Sequence, residues 1–103
     1  MNILMDKFGN IVDVNVPVLF CFYADWHETS VQMNGVLKAI VTQLGNKVKV
    51  VKIDVDKNKE LTKALKINGL PTIVIFNQRE LVWRGEGFHS SNLLITELVK
   101  YLQ

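Results

Sequence analysis

Two side chains in the segment YADWHETS, residues 23–30, have the types and the spacing that a catalytic pair would need. His27 and Ser30 stand three residues apart at a predicted helix start, so an imidazole and a hydroxyl could act as base and nucleophile. The sequence supplies neither an acid fixed to orient the imidazole nor an evident oxyanion hole. We therefore predict no hydrolase, and expect Thr29 or Ser30 to satisfy free backbone N–H groups of the first helical turn.

Metal binding is a second chemistry that His27 suggests, because a neutral imidazole is a common metal ligand. Asp25, Glu28 and His89 could complete a ligand set. No helical or hairpin spacing in the sequence forces these groups together, however. We therefore predict no metal site, and the sequence indicates no cofactor.

Cys21 is the only cysteine of the chain, which excludes an intramolecular disulfide and any zinc site built on two or four cysteines. It lies inside the apolar run of residues 18–23, where burial would raise the pKa of the thiol and deny it access to a substrate sulfur. We predict a structural core cysteine, with a lone-thiol redox centre as the alternative. The low cysteine count also indicates a reducing compartment.

The composition is that of an ordinary globular domain, and we predict one domain spanning residues 1–103. A net charge of +2 predicts binding to neither nucleic acid nor a membrane. Eight lysines against three acidic residues between Lys38 and Lys66 predict a solvated lysine face. The longest apolar run, residues 16–24, is far shorter than the ~20 residues that span a bilayer, and we expect a cytoplasmic protein.

Two β–α units must position these residues. The continuous apolar run 18–23 predicts a strand covered on both faces. From Met33 the apolar residues recur at helical spacing until Gly45, which predicts a helix that stops there. Residues 48–55 predict a second strand, and residues 58–65 predict a lysine-rich helix. Its expected inward positions are Leu61, Ala64 and Leu65.

A hairpin is predicted next. Residues 73–76 and 81–84 are short apolar runs joined by the polar turn 77–80, which is typical of an antiparallel hairpin. Gly85 and Gly87 are expected to end its second strand.

The two ends of the chain complete the predicted architecture. Ser90 or Ser91 is expected to cap a last helix. Its predicted inward side chains are Leu94, Leu98, Tyr101 and Leu102. Before the first strand, the sequence predicts a short strand, a turn and an extended segment at residues 3–5, 8–10 and 11–14. This order of elements predicts an α/β fold with a mixed sheet and helices on both faces.

Four segments in this order resemble thioredoxin, over about residues 16–103. They are Phe22-Tyr23-Ala24-Asp25-Trp26 at the end of a strand, Val50 to Asp56, Asn68-Gly69-Leu70-Pro71-Thr72 before a strand, and Gly87-Phe88-His89-Ser90 before the last helix. The resemblance implies the thioredoxin fold, a central mixed sheet flanked by helices on both faces. It also implies a cis peptide bond before Pro71, which is inexpensive for an X-Pro bond.

The reactive motif of that family is missing. The resemblance implies a Cys-X-X-Cys sequence after Trp26, with a low-pKa thiolate and a resolving thiol, but His27 and Ser30 occupy those positions. An imidazole forms no mixed disulfide, and a hydroxyl resolves none. The family's buried acid falls on Cys21, whereas its lysine partner position holds Lys52. The joint loss of both sulfurs and the acid predicts that the dithiol reaction is lost as a unit.

The residues that border the substrate in thioredoxins are still present. The resemblance implies that Trp26 lies beside the site and that substrate backbone pairs with Leu70, the residue before the cis proline. We predict a shallow groove that binds an extended peptide by strand-like pairing. The predicted lining is Tyr23, Trp26, Leu70, Pro71, Gly87 and Phe88. The alternative for Trp26 is that it only covers the edge of the core.

The leading hypothesis is a redox-inactive thioredoxin-like protein that binds an unidentified protein or peptide. The enzyme alternative is thiol–disulfide exchange through Cys21, or through an external thiol such as glutathione placed near His27. A third hypothesis is a scaffold that dimerises through the hairpin edge around Trp83. We expect a monomer or a weak homodimer.

Overall fold

The computed structural model describes residues 14–102. The predicted strand at 3–5 and turn at 8–10 lie outside the described residues, as does the extended segment at 11–14 except for Val14. The elements, in chain order, are β1 (Val18–Tyr23), α1 (Glu28–Leu44), a 3-10 turn (Gly45–Lys47), β2 (Lys49–Asp54), α2 (Lys59–Ala64), β3 (Thr72–Asn77), β4 (Glu80–Glu86) and α3 (Ser91–Val99).

The strands form one mixed sheet in the order β2-β1-β3-β4. β1 pairs with β2 in parallel and with β3 antiparallel, and β3 and β4 form an antiparallel hairpin. In this register Cys21 lies opposite Lys52. The predicted fold class, an α/β mixed sheet with helices on both faces, is therefore confirmed.

Alternate residues of β1 point into two separate cores, as expected of a strand covered on both sides. Leu19 and Cys21 belong to the cluster formed with α1 and α3. Phe20 and Phe22 belong to the other cluster, where Leu61 of α2 packs. None of the helices in the described part of the chain is long and apolar enough to cross a membrane.

The first helix buries most of the predicted apolar stripe, but Val41, which the pattern also places on it, is 50% exposed. Met33, Leu37 and Ile40 are buried against the sheet. The helix ends where predicted, since Gly45 has a φ of 55° and its N–H donates to the carbonyl of Val41. A positive φ at this position is a conformation that glycine reaches without a Cβ penalty.

The hairpin is confirmed, but its second strand is longer than predicted. Gln78 and Arg79 have φ values of 51° and 70°, the conformation of a type I′ turn, whose twist suits a two-residue hairpin. Gly85 lies within β4 and pairs with Ile73, so the expectation that it ends the strand was wrong. The rings of Trp83 and His89 occupy the space over Gly85, where a Cβ would meet the Trp83 ring at 2.5 Å.

Two side-chain placements also differ from the prediction. Ala64 is exposed, because α2 turns its Leu61 and Leu65 side toward the sheet and Ala64 lies beyond that side. Tyr101 follows the end of α3 and is only half-buried. The cap of α3 is as predicted, with the Ser90 hydroxyl accepting from the N–H of Leu93 at 3.2 Å.

Candidate functional site

The strand register brings the predicted site segments to one edge of the sheet. Tyr23, at the end of β1, pairs with Asp54 at the end of the parallel strand β2. Phe22 pairs with Thr72, the first residue of β3, and Thr72 pairs in turn with Glu86 at the end of β4. The loops that hold the His27 motif, the Leu70–Pro71 bond and Gly87 therefore leave the sheet side by side.

His27 is the N-cap residue of α1. Its backbone is extended, with φ −103° and ψ 112°, and its Nδ1 accepts a hydrogen bond from the N–H of Ser30 at 3.3 Å. The expectation that Thr29 or Ser30 satisfies the first-turn N–H groups was therefore wrong. Ser30 lies in the first turn of the helix, and its backbone N–H is the donor that an N-cap side chain normally accepts from. A nitrogen that accepts this bond carries no proton, so the neutral ring holds its hydrogen on Nε2.

The His27–Ser30 pair lacks the arrangement of a nucleophile and its base. The hydroxyl of Ser30 lies 3.4 Å from His27 Nδ1, but the side chain of Ser30 is only 2% exposed. The same nitrogen is held by the Ser30 backbone, and no acid among the described residues hydrogen-bonds the His27 ring. A base needs a free nitrogen and an orienting partner, so the geometry is that of a helix cap.

The candidate metal ligands are occupied or apart. In the described residues, no group of three or more His, Cys, Asp and Glu side chains is placed to hold a metal ion. His89, one of the residues considered, donates from Nδ1 to the carbonyl of Gly87 at 2.9 Å and stacks edge-on against Trp83.

Cys21 is inaccessible. It is 1% exposed, and burial raises the pKa of the thiol from 9.0 to about 11, although the positive charge of Lys52 acts in the opposite direction. The Lys52 ammonium lies 4.4 Å from the centre of the Tyr23 ring, within cation–π range. A thiol that is neutral near pH 7 and closed to solvent is a core residue, as the sequence predicted.

Trp26 stands out on the surface of this edge. It is 70% exposed, and its Nε1 donates to Oδ2 of Asp56 at 2.8 Å. Asp56 in turn is held by its own N–H, which donates to Oδ1 of Asp54 at 2.9 Å. Sequence reasoning missed Asp56, because the two partners lie on different loops and no local spacing relates them. The bond fixes the direction in which an exposed aromatic ring projects.

The proline loop lies against the loop after β4. The Leu70–Pro71 peptide bond is cis, as the resemblance implied, and the carbonyl of Pro71 accepts from the N–H of Gly87 at 2.8 Å. The hydroxyl of Thr72 donates to the carbonyl of Gly69 at 2.6 Å, which closes the loop on itself. Within residues 14–102, no hydrogen bond engages the N–H or the carbonyl of Leu70.

Of the six predicted groove residues, the structure joins Pro71 and Gly87 by a direct hydrogen bond. Leu70 is partly exposed, and Phe88 is 51% exposed. Trp26 and Phe88 are the large aromatic side chains that this edge presents to solvent, whereas Pro71 is buried. The arrangement offers two exposed rings and the unpaired N–H and carbonyl of one residue, Leu70.

Comparisons with known proteins agree with this architecture. The Thioredoxin family model matches residues 2–100. A thioredoxin-like protein of Synechocystis sp. is 38% identical over 82 residues, 80% of this chain and 78% of that protein. Chloroplastic thioredoxin Y of Oryza sativa subsp. japonica is 36% identical over 87 residues, which are 84% of this chain and 52% of that protein. The chain thus spans about half the length of the rice relative.

Solved structures give the same result. A mutant thioredoxin from Halobacterium salinarum matches with a TM-score of 0.86 at 30% identity, over 95% of this chain and 85% of that chain. The fold, the cis Leu70–Pro71 bond and the family match over nearly the whole sequence agree. This chain therefore belongs to the thioredoxin family.

Proposed function

We propose that this protein is a redox-inactive member of its family that binds an extended segment of a peptide or protein. The binding surface is the groove formed by Tyr23, Trp26, Leu70, Pro71, Gly87 and Phe88. The observation that carries the proposal is the unpaired backbone of Leu70, which lies at the same sheet edge as the exposed ring of Trp26.

The backbone of Leu70 would pair with the partner as an added strand does. Main-chain N–H and C=O groups give such pairing its affinity, and the flanking side-chain sites select the sequence. Trp26 and Phe88 would cover apolar side chains of the partner. Because Asp56 already holds the Trp26 ring, little side-chain entropy is lost when the partner packs against it.

The loss of the dithiol reaction follows from the absence of its sulfurs. Cys21 is the only cysteine, and it is 1% exposed. Thiol–disulfide exchange requires a thiolate that reaches a substrate sulfur. Neither His27 nor Ser30 supplies one. We propose the cytoplasm as the compartment, since a lone buried thiol suits a reducing environment.

Affinity capture with point variants tests the binding role. Wild-type protein and a Trp26→Ala, Leu70→Asp variant are immobilised, together with a Val41→Asp control that changes an exposed residue of α1. The proposal expects proteins retained by wild type and by the control that the groove variant loses. If all three immobilised proteins retained the same set of partners, the proposed binding role of the groove would be wrong.

Thiol–disulfide exchange is the second candidate function, and the names of the relatives favour it, since several are called thioredoxins. In this chain it would require either Cys21 or an external thiol bound near His27. Incubation with a disulfide substrate, alone and with glutathione, separates these routes. Activity that a Cys21→Ser variant loses would indicate the lone thiol, and activity that needs glutathione and His27 would indicate the external one.

A further inference from the structure

A lysine-lined cleft lies beside Asp56, the residue that accepts the Trp26 hydrogen bond. It has a volume of about 630 Å³ and runs along α2 from the loop after β2 to the loop before β3. Val55 and Ile67 are apolar residues of its lining, and Thr62 is a polar one. Sequence reasoning predicted only a solvated lysine face here, because the cleft exists only once α2 packs against the two loops.

The charge of the cleft is net positive. Lys59, Lys63 and Lys66 line it, and all three are exposed. Within residues 14–102 their ammonium groups make no ion pair or hydrogen bond. Asp56 is the one acidic residue of the lining, and its carboxylate already accepts from Trp26.

The position of Lys66 is fixed by the end of α2. Its φ of 54° places it in the left-handed region, and the N–H of Ile67 donates to the carbonyl of Thr62 across the last turn. This is the hydrogen bond of a Schellman motif, in which glycine is usual. Arg84 donates to the carbonyls of Leu65 and Lys66 at 2.6 and 2.8 Å. Two independent sets of bonds therefore hold a lysine where the backbone favours glycine.

Two residues of the cleft lining relate it to residues of the proposed groove. Asp56 lines the cleft and holds Trp26 of the groove. Asn68 lines the other end, two residues before Leu70, and its side-chain amide makes no hydrogen bond within the described residues. An extended chain advances about 3.3 Å per residue, so a peptide paired at Leu70 needs only a few further residues to enter the cleft.

We propose that this cleft binds acidic side chains of the same peptide segment whose neighbouring residues pair with Leu70. This inference rests on the proposed function and specifies its partner: an extended segment with apolar residues flanked on one side by Asp or Glu. The lysines would neutralise the carboxylates, and the Asn68 amide would donate to one of them. Two or three exposed ion pairs predict a gain of about tenfold in affinity at low ionic strength.

The test uses two synthetic peptides with the same apolar segment, one flanked by glutamates and the other by glutamines. Binding is followed by amide chemical shifts of the isotope-labelled protein. The variants are Lys59→Glu, Lys63→Glu and, as a charge-matched control, Lys38→Glu, Lys47→Glu, whose lysines are exposed outside the cleft. Wild-type protein is also titrated with each peptide at low salt and at about 0.5 M salt, which screens ion pairs. This comparison does not depend on whether the variants fold.

The expected result is tighter binding of the acidic peptide by wild type and by the control, with loss of that preference in the cleft variant and at high salt. Equal affinity for the two peptides, with chemical-shift changes at Leu70, would overturn the proposed role of the cleft in binding acidic side chains. It would remain consistent with peptide binding in the groove. Acidic-peptide shifts at Lys63 without any at Leu70 would show that the lysines bind carboxylates, but they would overturn the groove and with it the proposal that one peptide segment occupies both surfaces. Three further results would overturn the proposed role of the cleft. They are an equal loss of the preference for the acidic peptide in both variants, binding of oligothymidylate (a single-stranded nucleic-acid probe) more tightly than the acidic peptide, and no binding of either peptide.

Discussion

The indole N–H of Trp26 donates a 2.8 Å hydrogen bond to the carboxylate of Asp56, a residue 30 positions further along the chain. The bond connects the loop after β1 to the loop after β2, which leave the sheet at the same edge because these strands are parallel. It gives a 70% exposed ring a defined direction. It also places one residue, Asp56, in contact with both surfaces that we propose for the partner.

Removal of the Asp56 acceptor should weaken binding more than it weakens the fold. Asp56→Ala should lower the affinity for an extended apolar peptide several-fold, because the freed Trp26 ring must then be ordered on binding. The free energy of unfolding should fall by no more than ~1 kcal/mol, since the bond is exposed. Asp56→Asn keeps an acceptor oxygen and should bind like wild type. Trp26 fluorescence, measured in a Trp83→Phe background, reports both peptide affinity and unfolding. Equal peptide affinity of wild type and both Asp56 variants would contradict the proposed role of this bond.

His27 should behave as a helix cap. His27→Ala removes the acceptor of the Ser30 N–H and should lower the free energy of unfolding by about 1 kcal/mol. His27→Asn or His27→Asp should equal or exceed wild type, because these are the preferred N-cap residues. Urea denaturation compares the four proteins. An unchanged alanine variant beside a destabilised asparagine variant would show that the imidazole has some other role.

Cys21 should make stability fall at alkaline pH. Burial raises the pKa of its thiol from 9.0 to about 11, so above pH 9 the unfolded chain ionises first and binds fewer protons than the folded one. Stability linked to this thiol is therefore intact below about pH 9 and is lost between about 9 and 11, by up to about 3 kcal/mol.

The comparison for Cys21 is a Cys21→Ala variant, which lacks the titrating group. Urea denaturation of both proteins at several pH values cancels the titration of the lysines that they share. The difference between wild type and variant should shrink as the pH rises through that window. A constant difference would mean that the thiol is not shielded as the structure indicates.

Arg84 should couple the hairpin to α2. Its guanidinium donates to the carbonyls of Leu65 and Lys66, so Arg84→Met, which keeps the length but no donor, should lower the free energy of unfolding by about 1–3 kcal/mol. Arg84→Lys should retain part of that stability. Hydrogen exchange at the end of α2 should quicken in the methionine variant. Wild-type exchange and stability in that variant would leave the guanidinium without a structural role.

The sequence was sufficient where one period or one local signal decides the structure. The predicted strand 18–23 matches β1 because every residue there is apolar, and α1 ends at Gly45, whose positive φ is easily reached by glycine. The order of elements and the family motifs then predicted the mixed sheet, the cis Leu70–Pro71 bond and the grouping of the site loops.

The errors and omissions have two causes: local side-chain contacts that residue propensities do not indicate, and contacts between segments that are distant in the sequence. The presence of glycine predicted that the strand would break at position 85. Instead Gly85 pairs within β4, and the rings of Trp83 and His89 pack over it. Imidazole is not a favoured capping group, but the Ser30 nitrogen lies 3.3 Å from His27 Nδ1, so His27 caps α1. Neither the Trp26–Asp56 bond nor the cleft along α2 has a local signature.

The central claim is that the chain has kept a binding surface and lost the dithiol reaction. Insulin disulfide reduction driven by dithiothreitol tests it most directly, with wild type beside a His27→Cys, Ser30→Cys variant. The two side chains lie 3.4 Å apart, so cysteines there are placed to work together. We expect wild type to match the protein-free rate and the double variant to exceed it. Turnover by wild type above the protein-free rate would contradict the account.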